Sequence, residues 1–407
     1  MLRSKSKSAI YFIIGLLALI CFYPYEFYSV YFVFLPDRSF ETCLLLFIPI
    51  LVLYLGRRGN SMDNPILWLS IIQLFGFLAV ALNRGNINFF ISQLVMISFV
   101  IMLVLLLNNT IGLKSFVKKY NRWILIMALL GLATWILVTY AGLTPLYPVP
   151  DRAEQGRFIY NYGTTFAVLD ESTDLRFSGF FDEPGAMAYW GMYALVINKM
   201  FIKDKYLEIP LIISLIFTFS LGFYIQLVAY ILLFYVNKKN IGKSIVYAIL
   251  AVLLYFGVKT TEGTDLDHVY QMTIGRVEHI QDNSDGGIAV DDREESTIVA
   301  KKEFFENPFL GTTKLELDLG NNIYEPLALY GIIGSFLILF PFVWLLFKSL
   351  NHRHLDVFRG ILVIVVGFMH RPFRDNPLYF FVLYSIILLY YQQYINANNC
   401  KYEQISK

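Results

Sequence analysis

Charged residues are scarce in this chain. Asp, Glu, Lys and Arg make up 16% of its 407 residues, whereas a soluble protein has about a quarter. Hydrophobic residues make up 57%, and apolar runs of about 20 residues recur from end to end. These runs are continuous, as at 95–107, and lack the alternation of a membrane β-barrel. The composition excludes a soluble globular fold and indicates a helical, polytopic membrane protein.

Cysteine is equally scarce. Cys21, Cys43 and Cys400 lie far apart and lack the spacing of a metal site or a disulfide framework. We therefore expect no metal and no cofactor. The basic start of the chain precedes an apolar segment that has no small-residue cleavage site, which predicts an uncleaved first span.

The apolar runs predict about twelve transmembrane helices. The run at 209–236 exceeds the 17 to 25 residues that one spanning helix needs, and Ser220-Leu221-Gly222 is its natural break. The run at 359–370 is short enough to be a partial or re-entrant helix. The predicted spans are 9–24, 41–56, 65–83, 87–107, 122–141, 184–201, 207–219, 222–236, 244–258, 322–347, 359–370 and 376–394.

The distribution of Lys and Arg predicts the orientation of these spans. With both termini in the cytoplasm, 20 of the 33 Lys and Arg fall inside, and the short inside loops are uniformly basic. Two long polar loops, 142–182 and 259–321, then lie outside, together with the turn from His370 to Asp375. We expect an all-α bundle that forms a single integral membrane domain, 1–407, in which the two external loops contain short helices. One such helix is predicted at 296–306, with Ser296 as its N-cap.

The first long loop ends in acidic residues ahead of an apolar helix. Asp182 and Glu183 precede Pro184, which is a helix-start signal, so both acids could simply complement the helix dipole. Alternatively, either acid could act as a base at the membrane surface. Arg176 could form a salt bridge to one of them, or it could clamp a phosphate through two parallel hydrogen bonds.

Further candidate residues lie in the second loop and in the last external turn. Acidic pairs of the second loop could bind a divalent metal, but solvated charge is the favoured interpretation of a loop this acidic. The last turn brings His370 beside two arginines. The basic candidates here are Arg276, Arg293, Arg371 and Arg374.

Several short stretches follow one another in a characteristic order between residues 120 and 395. They are Arg176 to Pro184 (Arg-Phe-Ser-Gly-Phe-Phe-Asp-Glu-Pro), Thr218 to Gly222 (Thr-Phe-Ser-Leu-Gly), Phe305 to Gly311 (Phe-Glu-Asn-Pro-Phe-Leu-Gly), Asn321 to Glu325, and Gly331 to Gly334. In order, in spacing and in the twelve-span layout, the chain resembles the superfamily of O-antigen polymerases (Wzy-type) and O-antigen ligases (WaaL-type).

The resemblance implies a GT-C-like glycosyltransferase of the bacterial inner membrane, with its long loops in the periplasm. Its donor and acceptor would be oligosaccharides linked to undecaprenyl diphosphate, and a chain-length regulator protein is a further candidate partner. Membrane lipid would surround it, and nucleic acid is not expected. The family's external arginines contact the diphosphate; Arg176 matches the first of them, and Arg276 and Arg293 are both candidates for the second. The transfer would invert the configuration at the anomeric carbon and would need no metal.

The chain departs from the family pattern at two positions. The family has an arginine where this chain has Leu221. Ligases have a histidine where this chain has Asn321, and an asparagine cannot act as a general base, which favours the polymerase. We expect Glu183 or His370 to activate the acceptor hydroxyl, and Asp182, Asn321, Asn322 and Glu325 to belong to the acceptor side or to support it. The alternatives are a ligase that transfers glycan to lipid A-core and a transporter of lipid-linked oligosaccharides.

Overall fold

A computed structural model of the chain shows a mostly helical protein. It describes residues 65–149, 158–169, 175–179, 181, 183–236, 292–314, 319, 322–369, 371–373 and 376–396, with a few isolated positions besides. The predicted spans at 9–24, 41–56 and 244–258 lie outside the described residues, except for single positions.

Helices occupy the other nine predicted spans. In chain order the α-helices are α1 Pro65–Asn83, α2 Ile87–Thr110, α3 Leu113–Ala141, α4 Pro184–Ile197, α5 Glu208–Ile216, α6 Leu221–Tyr235, α7 Asp292–Glu306, α8 Glu325–Asn351, α9 Leu355–Gly367 and α10 Pro377–Tyr390. Among the described residues, α1, α2, α3 and α8 are long and apolar enough to cross a membrane. The mostly helical class is confirmed, and these apolar helices are compatible with a membrane protein, whereas the count of twelve spans stays a prediction.

Several of the remaining helices are short. At about 1.5 Å per residue, the nine residues of α5 and the thirteen of α9 fall well short of a hydrocarbon core of about 30 Å. The chain turns between α5 and α6 at residues 217–220, which confirms the predicted break at Ser220. Helix α4 continues directly into a π-helical segment, Asn198–Ile202. The centre of the protein therefore contains short helices packed among long ones.

The first long loop contains a sheet, which corrects the prediction that it holds short helices. Its strands are β1 Tyr147–Val149, β2 Phe158–Asn161, β3 Phe166–Leu169 and β4 Leu175–Gly179. They pair in sequence order, each antiparallel to the next. The physical reason is local, because the loop is rich in aromatic and β-branched residues separated by turn formers.

One turn and one close contact fix the position of this sheet. Asn161 Oδ1 accepts a hydrogen bond from the Gly163 amide at 2.6 Å, and Gly163 has a φ of +81°, so the β2–β3 turn needs both residues. Phe177 of β4 packs on Gly131 of α3, where a Cβ would lie 2.3 Å from the ring. The sheet is thereby held against the C-terminal half of α3.

The helix of the second loop begins earlier than predicted. It starts at Asp292, so Ser296 lies inside the helix and is not its N-cap. Helix α7 then packs on the start of α8 through Ala300, Ala328 and Leu319.

The two central helices are apolar around their whole circumference. In α4 every residue except Gly185 is buried, and in α10 every residue is buried, as expected of helices surrounded by others. Gln73 of α1 joins three helices: its Nε2 donates to the Ile338 carbonyl of α8 at 2.7 Å, and its Oε1 accepts from the Tyr384 hydroxyl of α10 at 2.7 Å.

Helix α8 is interrupted at Gly331, whose φ is +64° and ψ is −176°. The turn at residues 308–311 occupies the interruption. The amides of Ile332 and Ile333 donate to the carbonyls of Pro308 and Phe309, at 2.8 and 3.0 Å. On the other side of the break, the Arg84 guanidinium donates to the Leu329 carbonyl at 2.6 Å. The break in the helix thus leaves these backbone groups paired.

At the opposite end of the bundle, carboxylates connect α3, α4 and α5. Asp204 accepts from Arg122 at 2.7 Å, and its backbone exchanges hydrogen bonds with the Asn198 side chain. Burial raises the pKa of Asp204, but hydrogen bonds from Arg122 and the Tyr206 amide outweigh this and lower it overall. Glu208 pairs in the same region with Lys199 at 3.3 Å.

The interruption of α8 predicts an unusual sensitivity at Gly331. We expect Gly331→Ala to lower the thermal unfolding midpoint in detergent strongly. The new Cβ would lie 2.3 Å from the Phe309 carbonyl, in a backbone conformation that is open essentially to glycine alone.

Gly85 provides a matched control. It has nearly the same φ, +62°, but a Cβ there would meet nothing within 4 Å, so Gly85→Ala should cost only the backbone strain of about 1–2 kcal/mol. Equal unfolding midpoints for the two variants would contradict the close approach of residues 308–311 to α8.

We expect low pH to destabilise the packing of α7. Buried Glu303 accepts hydrogen bonds from Lys314 and Thr312. Both lower the pKa of its carboxyl, and the hydrogen bond from Lys314 has the larger effect. The pKa of Glu303 is lower in the folded state than in the unfolded state, so its ionised carboxyl stabilises the fold. This stabilisation is fully present above the unfolded pKa of about 4.3 and is lost as the pH falls through the folded value. Hydrogen exchange of the α7 amides, corrected for intrinsic rate, should accelerate below about pH 4. Glu303→Gln should abolish that acid step; an unchanged step would show that another group causes it.

Candidate functional site

Three segments that are distant in the sequence meet at the start of α4. Arg371, which follows α9, donates from a terminal guanidinium nitrogen to Glu183 Oε2. The pair is largely withdrawn from solvent, with 11% of the Arg371 side chain and 22% of the Glu183 side chain exposed. Ser220, at the start of α6, is the third member. We call Glu183, Gly185, Ser220 and Arg371 the Glu183 cluster.

Gly185 lies beside the side chains of both Arg371 and Ser220. A Cβ at this position would lie 3.6 Å from the terminal nitrogen of Arg371 and 3.7 Å from Ser220 Oγ. The guanidinium and the hydroxyl therefore approach the same bare stretch of backbone. Both groups are hydrogen-bond donors, and the arginine carries a full positive charge at any pH of interest. The arrangement is suited to a ligand with several anionic oxygens.

Local geometry orients the Glu183 side chain. The residue is extended, with φ −142° and ψ 149°, and its carbonyl accepts the amides of Ala186 and Met187 at 3.0 and 3.2 Å. Pro184 occupies the first helical position, where its missing amide costs nothing. The Glu183 side chain pairs with Arg371 instead of capping α4, so capping does not account for this acid.

Ser220 lies beside a strained residue. Its Oγ accepts the Phe223 amide at 3.4 Å and caps α6. Phe219, just before it, has a φ of +50°, which is rare for a bulky side chain. Thr218 closes α5 by donating to the Leu215 carbonyl at 2.7 Å. Such strain persists only where the surroundings enforce it, and it is concentrated at functional sites.

The cluster is recessed from solvent and follows a short helix. Asp356, in the first turn of α9, pairs with Lys203 at 2.6 Å and lies at the inner boundary of the predicted topology. From Asp356 to its end at Gly367, α9 rises by about 16 Å, against a hydrocarbon core of about 30 Å. Arg371 follows after a short turn, and the placement of Glu183 at the membrane surface stays a prediction.

A column of polar side chains continues inward from the cluster. Gln226 of α6 packs on the backbone of Gly367, where a Cβ would lie 1.9 Å from its Nε2. Gln226 is buried, and within the described part of the chain its Nε2 has no hydrogen-bond acceptor. Tyr189 borders the same point, and its hydroxyl lies 2.9 Å from that of Tyr193. A buried donor without an acceptor is costly and marks a place where a ligand or water could bind.

The other predicted site residues fall in three groups. Arg176 is half-buried on β4, opposite Val168 of β3 and on the face of the strand away from Phe177. Asn322 is structural, since its Oδ1 accepts the amides of Tyr324 and Glu325 at 2.9 and 3.1 Å, and Glu325 is buried as the first residue of α8. Arg293 belongs to α7, while Asp182, Arg276, Asn321, His370 and Arg374 lie outside the described residues.

Sequence reasoning missed Gly185, Ser220 and Gln226 as site residues. Ser220 lies in the predicted helix break and in the stretch from Thr218 to Gly222, and a break between apolar helices is the signal that indicates such a residue. Gly185 and Gln226 carry no comparable signal, because their importance depends on which residues pack beside them.

Comparison of the chain with models of protein families, with curated proteins and with solved structures gave no match.

The buried pair predicts a measurable coupling. Glu183→Gln or Arg371→Gln alone should destabilise the protein by about 3–5 kcal/mol, because each leaves a buried charge without its partner. The double variant should lose clearly less than the sum of the two. Lys203 and Asp356, which are about half exposed, provide the control pair, and their removal should cost about 0–1 kcal/mol. Thermal unfolding in detergent measures both cycles, and additive losses at Glu183 and Arg371 would contradict the pairing.

Proposed function

We propose that this protein is a membrane glycosyltransferase that polymerises a bacterial polysaccharide. It would transfer a growing glycan from undecaprenyl diphosphate to a lipid-linked repeat unit at the outer face of the cytoplasmic membrane. The observation that carries the proposal is the recessed Glu183–Arg371 pair beside Ser220. It combines an acid, a guanidinium and a hydroxyl, drawn from three segments, among apolar helices that could hold a lipid tail.

In this proposal Arg371 binds the diphosphate of the donor. A guanidinium can hold two phosphate oxygens through parallel hydrogen bonds, and the water-poor site strengthens the attraction. Ser220 Oγ, beside the same glycine, can donate to a further oxygen. As the glycosidic bond breaks, negative charge grows on the leaving diphosphate, and groups fixed in advance stabilise this charge without reorganisation. Arg176 would be a second arginine for the same leaving group.

The pairing with Arg371 also suggests how Glu183 is activated. While the guanidinium holds the carboxylate, Glu183 is a weak base. A diphosphate that attracts Arg371 would free the carboxylate at the moment when donor is bound. Glu183 then takes the proton from the acceptor hydroxyl, the hydroxyl oxygen bonds to the anomeric carbon, and undecaprenyl diphosphate leaves with the electron pair of the broken bond.

Two sequence features support a polymerase of this superfamily. The family's arginine beside Ser220 is missing, because residue 221 is leucine, yet Arg371 brings a guanidinium from another segment to Gly185, which Ser220 also approaches. Asn321 occupies the position of the ligase histidine, which favours a sugar hydroxyl of a lipid-linked repeat over lipid A-core as acceptor.

One observation favours a transporter as the second candidate. Ionisable residues within the membrane often line substrate pathways, and the Glu183–Arg371 pair is largely withdrawn from solvent among apolar helices. Among the described residues, Arg122–Asp204 joins the first half of α3 to the turn before α5. An ion pair predicted to lie on the outer side fits surface chemistry better than passage through the bilayer.

The test is polymerisation by purified protein in lipid nanodiscs supplied with a lipid-linked repeat unit. Wild-type protein should produce a ladder of products. Glu183→Gln should lower the rate by about 10²–10⁴-fold, as expected for loss of a general base, and Arg371→Gln and Arg176→Ala should abolish long products. Glu306→Gln, an exposed carboxyl on α7, should leave the ladder unchanged.

Each variant is first checked for a wild-type elution profile, so that loss of activity is not loss of fold. Wild-type ladders from folded Glu183→Gln and Arg371→Gln would overturn the proposal. Transfer to lipid A-core alone would identify a ligase. Movement of the lipid-linked repeat across the bilayer without any new bond would identify a transporter.

A further inference from the structure

Helix α7 exposes an apolar face. Ile298 and Phe305 are 59% and 65% exposed, and seven residues apart they lie on the same side of the helix. Phe309, in the turn that follows, is exposed as well. Exposed aromatic and aliphatic side chains are expected on the membrane spans, but α7 belongs to a polar loop. Its apolar face therefore needs an explanation.

The opposite face of α7 is fixed, so the helix cannot rotate to cover these side chains. Ala300 packs with Ala328 and Leu319, and buried Glu303 is held by Lys314 and Thr312. These contacts join α7 to the first turns of α8 and to the segment before it. The outward direction of Ile298 and Phe305 is thus set by the fold.

Lysines flank the apolar face. Lys301 and Lys302 are exposed and lie about 60° and 40° to either side of Ile298 at 100° per residue. An apolar stripe between lysines is the pattern of helices that lie in a membrane interface. There the stripe enters the acyl boundary, and the long lysine stems carry their charges up to lipid phosphates.

The apolar face of α7 is continuous with the surface of a membrane span. The carbonyls of Pro308 and Phe309 bond the amides of Ile332 and Ile333, so Phe309 lies directly beside α8. Ile332, Ile333 and Phe336 are themselves exposed. Because Ile332 lies about seven residues into α8, the turn at 308–311 is about 10 Å below the start of that helix.

We propose that α7 lies on the outer surface of the bilayer as an interfacial helix. Ile298, Phe305 and Phe309 enter the boundary between head groups and acyl chains, and Lys301 and Lys302 contact lipid phosphates. The occupant of the apolar face is the lipid bilayer, because that face continues the exposed surface of α8 and lysines border it on both sides. The second long loop is then anchored to the membrane at its C-terminal end, independently of any catalytic role.

Spin-label accessibility in nanodiscs that contain phosphatidylglycerol tests this placement. Cys21, Cys43 and Cys400 are first replaced by serine, and a single cysteine is introduced by Phe305→Cys. Glu306→Cys is the matched control, one residue further on and also exposed. Oxygen concentrates in lipid and a nickel chelate in water, so the oxygen-to-nickel collision ratio should be higher at residue 305 than at residue 306. Phe309→Cys, with exposed Thr313→Cys as its control, repeats the comparison in the turn.

Two results would overturn the placement. High access of the nickel chelate at residues 305 and 309 would show that α7 faces water. Low access of both reagents would show that protein covers the face, from a second copy or from another partner. A third comparison tests the lysines: Lys301→Glu with Lys302→Glu should lower the collision ratio at residue 305 in phosphatidylglycerol nanodiscs, and no change would exclude contact with lipid phosphates.

Discussion

The break in α8 frees backbone amides and carbonyls in a helix that is long and apolar enough to cross a membrane. In apolar surroundings, each such group would cost several kcal/mol if it stayed unpaired. The chain satisfies them with the carbonyls of Pro308 and Phe309 and with the guanidinium of Arg84. Because this solution needs backbone against backbone, Gly331 and Gly311 are required, and the second long loop is joined firmly to a membrane span. Helix α7 and the first turns of α8 pack together beside that junction.

The same constraint governs the short helices. Between α5 and α6 the chain turns within the bundle, and Thr218 and Ser220 bond the ends of both helices with their own side chains. This turn brings Ser220 to the start of α4, where Glu183 and Arg371 already pair. A polar site is therefore built inside an apolar bundle at the points where helices end. Helix ends supply donors and acceptors that regular helix does not.

The ion pairs agree with the topology inferred from charge. Arg122–Asp204 and Lys203–Asp356 join residues that the alternation of spans assigns to the inside, whereas Glu183–Arg371 joins two that it assigns to the outside. This agreement concerns which residues share a side, and the assignment of inside and outside stays a prediction. In the predicted orientation, the Glu183–Arg371 pair is the one that an externally presented, lipid-linked diphosphate could reach.

The sequence by itself determined the mostly helical class, the positions of the long apolar helices and the break at Ser220, since apolar length and turn residues are local properties. It did not place the start of α3, which begins at Leu113 and not at residue 122. It also grouped Glu183 and Arg371 on one side, because positive charge is distributed unevenly between the loops. It was wrong about the first loop, where four consecutive strands rich in aromatic and β-branched residues pair into a sheet, and about the start of α7. Only the tertiary structure decided that Glu183 pairs with Arg371 and that Gly185 and Ser220 complete the cluster. It also decided that the turn at residues 308–311 packs against the backbone of Gly331. Each of these depends on which surfaces pack together, and packing is a property of the whole chain that no single stretch of residues carries.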